Sequence, residues 1–290
     1  MKKIGIIDNY ISNFHSNTYY TLFEKIANEE GLEPCVITHI YAVTEVSPST
    51  KETTDEWCAR TGAKRCDTIE EVCESVDAIM VLAPNNPELH PELTKAPLAS
   101  GKPVYVDKTF APDYKTAREI ADYGKANGAN FWSSSAVRFD PVMEEYLNNP
   151  ESLVKSAVVA GPNVFEIYSI HLIELINTVM KAGAKTVQCL SGGKNLIFKL
   201  DFKDGRSAFY HQLIRANMPF TLFLDTEAER GVKLECGEAF WRGFARALME
   251  YFYTGTPVID IESTVECIAV RTAMMKAMEN VGAVIEVEGA

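Results

Sequence analysis

Apolar residues fall along this 290-residue chain in short runs that alternate with helix-spaced segments. Ala78 to Ala83 is nearly continuous hydrocarbon and stops at Pro84, Asn85, Asn86 and Pro87, the pattern of a strand buried on both faces that ends in a loop. Leu89 to Ser100 then reads as a helix stopped at Gly101, Pro103 to Val106 as a strand, and Tyr114 to Asn127 as a helix with Gly128 past its end. Nearer the amino terminus, Lys3 to Ile7 and Val36 to Val43 predict strands on either side of a helix over Thr18 to Glu29. Strands and helices in this alternation predict an α/β, doubly wound parallel sheet with right-handed crossovers. Ligands of such sheets sit outside the carboxyl ends of the strands, which puts Pro84 to Pro87 and Asp107 to Thr109 at the expected cleft. Lys108 faces that cleft.

The second half changes period. Val154 to Ala160, Lys185 to Leu190, Asn195 to Phe202, Ser207 to Ile214 and Phe220 to Leu224 read as strands, with a helix over Tyr168 to Lys181 and a hairpin signal at Asp204-Gly205. This predicts an α+β domain with an open, mainly antiparallel sheet, helices on one face, and the other face left for a second subunit. The expected organisation is a nucleotide-binding-type domain over residues 1–138 and a substrate and oligomerisation domain over 139–290, with the last helix packing back and a homo-oligomer formed through the sheet.

Several motifs carry a family resemblance. Val76-Asp77-Ala78-Ile79, Ala83-Pro84-Asn85, Gly101-Lys102-Pro103-Val104, Asp107-Lys108-Thr109 and Val137-Arg138-Phe139-Asp140-Pro141 follow one another in the order, and near the spacing, of VDAV-x-I-x-TPN, GKHV-x-x-EKP and RRFDP. The segment resembles the Gfo/Idh/MocA oxidoreductases, the group of glucose-fructose oxidoreductase and the inositol dehydrogenases. Phe240 to Tyr253, Thr254-Gly255-Thr256-Pro257 and the helical stretch Ser263 to Val281 are similar to the family's closing helix, small loop and final helix. The resemblance implies a Rossmann-type fold and an NAD- or NADP-dependent oxidoreductase acting on a sugar, inositol or related polyhydroxylated molecule. It implies that Lys108 polarises or protonates the substrate oxygen and that His171 is the base or acid. Arg138, Asn85 and Glu174 would orient the substrate. On their own chemistry Trp132, Phe139, Tyr168 and Trp241 either line a sugar pocket, since ring faces pack on carbohydrate C–H surfaces, or belong to the core. His171 and Glu174 match part of the family's D-x-x-x-H-x-x-D, one turn apart on a helix, but its first aspartate is replaced by Ile167, with Glu166 beside it.

The turn after the first strand departs from that family. Where G-x-G-x-x-G should hold a pyrophosphate, the chain has Asp8-Asn9-Tyr10-Ile11-Ser12-Asn13, without any of the three glycines. Asp8 also brings a carboxylate to the place where phosphates are held at a helix amino terminus. Two readings stand side by side. Asp8, Ser12 or Asn13 caps the helix and the dinucleotide site is remodelled, or Asn13, His15, Ser16 and Asn17 donate to a phosphate through their side chains. Candidate cofactor contacts are Asp8, Asn9, Asn13, Pro84, Asn85 and Asp107. Glu45 is either the ribose-binding acid or a surface acid, and Ser47, Ser49, Thr50 and Lys51 are candidates for a 2′-phosphate.

Composition narrows the partners. A net charge of −12 argues against nucleic acid or an anionic membrane, because phosphates need a basic footprint. Seven scattered cysteines without a C-x-x-C pair, and no run of about 18 uncharged apolar residues, read as a cytoplasmic protein with reduced thiols. Gly192-Gly193-Lys194 lacks the rest of a phosphate loop and reads as a turn. His171, Glu174 and His211 have no spacing that fixes a metal, and none is expected. The rivals to the dehydrogenase reading are a sugar-binding or regulatory descendant that lost the dinucleotide and a lyase or isomerase using Lys108 and His171.

Overall fold

A computed structural model of the chain describes residues 1–148, 153–181, 183–214, 217–228 and 230–289. The chain forms two compact units, residues 1–134 with 245–261 and residues 135–244 with 262–290.

In the first unit β1 (Lys2–Asp8), α1 (Phe14–Glu30), β2 (Cys35–Ala42), α2 (Thr54–Thr61), β3 (Lys64–Arg65), α3 (Ile69–Ser75), β4 (Ala78–Val81), α4 (His90–Leu93), α5 (Lys95–Ala99), β5 (Val104–Val106), α6 (Tyr114–Ala126) and β6 (Phe131–Trp132) follow in turn. The strands form one sheet in the order β3-β2-β1-β4-β5-β6, every pair parallel. The expected doubly wound sheet is present. Residues of β4 and β5 are fully buried, as their unbroken apolar runs require. Strand order reverses at β1 and β4, so the crevice of this sheet opens beyond Asp8 and Val81. Gly5 permits the close packing of α3 on β1: a Cβ there would stand 2.5 Å from Val72 Cγ1.

Two elements differ from expectation. Helix α1 starts at Phe14, ahead of Thr18, because Asn13 supplies an N-cap and forms a capping box with Ser16. The helix expected over Leu89 to Ser100 is broken into a 3₁₀ turn (Pro87–Leu89), α4 and α5. Pro91 and Pro97 each remove an amide donor and crowd the preceding turn. Within this stretch the buried His90 braces the strand ends, Nδ1 at 2.9 Å from the Phe110 carbonyl and Nε2 at 2.6 Å from that of Leu82.

Residues 245–261 complete the first unit. Tyr251 Oη accepts from Val104 N at 2.9 Å and lies 2.7 Å from the Asn130 carbonyl, while the Phe252 ring meets Phe23 edge-on at 6.3 Å.

The second unit contains α7 (Pro141–Leu147), β7 (Val154–Pro162), α8 (Phe165–Met180), β8 (Ala184–Ser191), β9 (Asn195–Phe202), β10 (Ser207–Leu213), β11 (Phe220–Thr226), β12 (Arg230–Cys236), the start of α9 (Phe240–Thr254), most of α10 (Ile261–Glu279) and β13 (Val284–Glu286). The last helix thus groups with this unit and the later part of α9 with the first. Its seven-stranded sheet runs β12-β11-β7-β10-β9-β8-β13, antiparallel except for β7 with β10. Alternate residues of β9 and β10, Leu196, Phe198, Leu200, Ala208 and Tyr210, are buried, and α8 packs on β7 and β10. Among the described residues no helix is long and apolar enough to cross a membrane.

Candidate functional site

The turn after β1 is built around Asp8. Its side chain is buried; Oδ1 accepts from Asn9 N at 2.7 Å and Ala83 N at 3.0 Å, and Oδ2 accepts from Asn13 Nδ2 at 2.7 Å. Burial pushes the carboxyl up to about 7, against the pull of these three hydrogen bonds. Asn13 does two jobs. Its Oδ1 accepts from His15 N at 2.9 Å and Ser16 N at 3.1 Å, and its Nδ2 also donates to the Tyr10 carbonyl at 2.9 Å. Ser16 Oγ donates to the Ile11 carbonyl. The capping alternative is therefore the one found: Asn13 is the cap, and Asn13 and Ser16 donate within the turn. Ser12 Oγ donates to Glu52 Oε2 at 2.6 Å and accepts from Thr50 Oγ1 at 2.9 Å, while Ser47 and Ser49 lie 3.1 Å apart. Glu45 is a half-exposed acid paired with Arg65 at 2.7 Å, and Asn9 joins Asn86 at 2.8 Å and Thr44 at 3.0 Å.

Next to this turn lie the ends of β4 and β5. Asp107 is 1% exposed; its Oδ1 accepts from Lys108 N and from Tyr105 Oη, both at 2.8 Å, and its Oδ2 stands 2.6 Å from His15 Nδ1. Burial alone would raise this acid, but the His15 imidazole, Lys108 and the Tyr105 hydroxyl together hold it below the usual carboxylate range. Lys108 is buried, with Nζ 3.4 Å from the Pro84 carbonyl. Desolvation lowers its pKa and Asp107 only partly opposes the shift. The peptide joining Lys108 to Thr109 is cis. Asn85 is exposed in the loop after β4. His15, offered from sequence as a phosphate donor, is instead the partner of Asp107, and no local spacing could have signalled a pair so far apart in the chain.

The second unit holds the remaining candidates. His171, on α8, has Nδ1 2.6 Å from Ser135 Oγ and its ring edge-on to Tyr168 at 5.3 Å and Phe220 at 5.5 Å. Glu174, one turn on, is buried and accepts from Arg138 Nε at 2.6 Å and Ser135 N at 2.8 Å. The Glu174 charge and this hydrogen bond hold the Arg138 guanidinium above its ordinary range although burial opposes them. Arg138 and Glu174 thus meet each other, and together they hold the Ser135 segment against His171. Glu166 is exposed at the start of α8. Among the described residues no group of three or more His, Cys, Asp or Glu side chains is placed to hold a metal ion.

Residues 9–135 match the model of an oxidoreductase family with an NAD-binding Rossmann fold, GFO_IDH_MocA. The match is to the Gfo/Idh/MocA family. The fold of the whole chain is that of several solved structures. A scyllo-inositol dehydrogenase from Lactobacillus casei superposes with a TM-score of 0.81 at 13% identity, covering 99% of this chain and 98% of that one. A myo-inositol 2-dehydrogenase from Lactobacillus plantarum gives 0.79 at 14%, covering 99% of both. GenD2 from gentamicin A biosynthesis, in complex with NAD, gives 0.76 at 15%, covering 99% and 97%. At these identities the likeness establishes the fold. No curated protein matches the chain in sequence.

The Gfo/Idh/MocA family implies a dinucleotide, and the turn after β1 tests whether these residues suit one. A pyrophosphate requires bare backbone at the glycine positions and open amides at the helix start. Here Asp8, Tyr10 and Asn13 bring side chains to those positions, the His15 and Ser16 amides already donate to Asn13, and a buried carboxyl stands where the phosphate's charge would lie. The residues of this turn do not fit the cofactor's pyrophosphate. What the unit holds is a lysine and an aspartate at the carboxyl end of β5 and a histidine at the start of α1, a set suited to moving protons.

Proposed function

We propose that the chain acts on a polyhydroxylated small molecule, a sugar or an inositol, by proton transfer at Lys108 and without a dinucleotide. The observation that carries this reading is the turn after β1, filled by Asp8 and Asn13. Support for the chemistry comes from Lys108, whose burial at the end of β5 lowers its pKa from the ordinary lysine value, so that its ammonium gives a proton to substrate and recovers it more readily. His171 is the acid–base candidate of the second unit, fixed by Ser135, with Tyr168 beside it. Asn85, exposed at the mouth of the β4 loop, is a substrate contact. Arg138 and Glu174 serve by holding the Ser135 segment. The open sheet of the second unit, where neighbouring Val158 and Phe223 are exposed, is the proposed surface for a second copy of the chain, and the seven free cysteines support a cytoplasmic location.

Oxidation of the same class of substrate with NAD or NADP is the second reading, favoured by the family match over residues 9–135. Calorimetric titration with NADH and NADPH separates the two. No binding heat with either nucleotide at millimolar concentration is expected. A dissociation constant in the micromolar range for either one would replace the proton-transfer reading with the dehydrogenase.

A further inference from the structure

We propose that His15, held by Asp107, is a catalytic acid–base group of the first unit, acting with Lys108 to enolise an uncharged α-hydroxy carbonyl compound such as a ketose, an aldose or a keto-inositol. This deepens the reading above and rests on it.

The pair has an inside and an outside. Asp107 exposes 1% of its side chain and His15 11%, so the imidazole forms the outer edge and the carboxylate backs it. Asp107 Oδ1 is taken by the Lys108 amide and the Tyr105 hydroxyl, which leaves Oδ2 for His15 Nδ1 at 2.6 Å. A buried carboxylate 2.6 Å from Nδ1 favours the tautomer with its hydrogen there, which makes Nε2 the proton-accepting nitrogen of the proposal. The ring is positioned from two further sides. Its backbone amide donates to Asn13 Oδ1 at 2.9 Å, and Tyr19 meets it edge-on at 6.2 Å. Such a group is placed before the substrate arrives.

Lys108 follows Asp107 in the chain: its backbone amide donates to Oδ1, and the Asp107 charge favours its ammonium against desolvation. In the proposed step the C–H bond next to the substrate carbonyl breaks, its proton goes to His15 Nε2, and its electron pair forms the carbon–carbon double bond of an enediol. The carbonyl oxygen takes a proton from the Lys108 ammonium. Return of a proton from His15 to the neighbouring carbon, with the lysine recovering its own from the other oxygen, gives the isomer. Protons and electrons balance without an oxidant, a reductant or a metal. The substrate is uncharged because the turn holds its own acid in Asp8 and spends the first amides of α1 on Asn13, leaving no seat for a phosphate.

The test is deuterium uptake from D2O, followed by NMR, into ketoses, aldoses and keto-inositols and their phosphate esters. Wild-type chain should label an unphosphorylated member at the carbon next to the carbonyl. His15→Gln should lower that rate by roughly 10²-fold, the usual worth of a positioned acid–base group, while the variant remains folded at the assay temperature by circular dichroism. In the wild type, the His15 imidazole ¹⁵N signals should show the Nδ1–H tautomer and shift when the labelled sugar is added. Labelling at the wild-type rate by His15→Gln, or imidazole signals that ignore the sugar, would overturn the role of His15. Loss in Lys108→Met would still leave the proton-transfer reading standing in that case. No labelling of any compound by the wild type would overturn both, and preference for the phosphate esters would overturn the uncharged substrate.

Discussion

Replacing Asp8 with Asn tests the turn through the pH dependence of stability. Burial, opposed by hydrogen bonds from Asn13, Ala83 and Asn9, raises this carboxyl from 3.8 to about 7, and the charge of Asp107 pushes the same way. The unfolded chain gives up the proton near pH 4, the folded chain near pH 7. Between those values the folded state holds the extra proton, so stability falls as pH rises, by about 1.4 kcal/mol per unit. From pH 5 to pH 8 the loss sums to on the order of 2 to 3 kcal/mol, complete once the folded group has ionised. Asn has the same shape and nothing to release. It keeps an acceptor for the Asn9 and Ala83 amides but turns a donor toward Asn13 Nδ2, a mismatch costing about 1 kcal/mol. Urea unfolding of both proteins across this range should show the variant less stable at pH 5 and more stable at pH 8. Subtracting one curve from the other removes the groups they share. A difference that stays constant with pH would refute the account of Asp8 as a buried acid that resists ionisation.

Other substitutions probe the packing around the candidate residues. Asp8→Gly should leave dinucleotide affinity undetectable by calorimetry, because Asn13 still caps α1, and should lower the melting temperature by stranding three donors. Gly5→Ala forces β1 away from Val72 and should destabilise by roughly 1–3 kcal/mol in urea unfolding. Glu174→Ala leaves the Arg138 guanidinium buried without its carboxylate and should cost about 3–5 kcal/mol, read the same way. Tyr251→Phe removes a hydroxyl that donates to the Asn130 carbonyl and should cost about 1 kcal/mol in urea unfolding, while Val104 N keeps the Asn130 carbonyl as its acceptor.

What the sequence disclosed, and what it hid, divides by the range of the interactions. The parallel sheet was legible because β4 and β5 must be apolar on both faces, and the second sheet because β9 and β10 alternate over a single buried face. The broken helix after residue 87 carried its explanation openly, since Pro91 and Pro97 stand inside the apolar period, but periodicity outweighed them. Helix α2 has a clear start in the Thr53 and Glu56 capping box, but its eight residues bury only Thr54 and Trp57 and so carry little apolar period. At the site, missing glycines marked the turn as unusual without saying how it was rebuilt. That depended on Asp8 reaching Ala83 and on His15 reaching Asp107, contacts between segments that only the sheet brings together. Arg138 and Glu174 were picked out as substrate contacts by their motifs, whereas their mutual pairing is visible only in three dimensions.

The residues that finish the first unit have a consequence for how the chain is made. All six strands of the parallel sheet are synthesised by residue 132, yet the hydroxyl that closes on Val104 and the ring that covers Phe23 belong to Tyr251 and Phe252. At about 5–20 residues per second, a nascent chain waits on the order of ten seconds between the two. During that interval β5 and the inner side of α1 lack their cover while the antiparallel sheet is still emerging. A chain released near residue 134 therefore carries a complete set of strands and an unsealed core. It should be cleaved by protease and held by chaperones far more readily than the whole protein, even though every strand of the parallel sheet is in it.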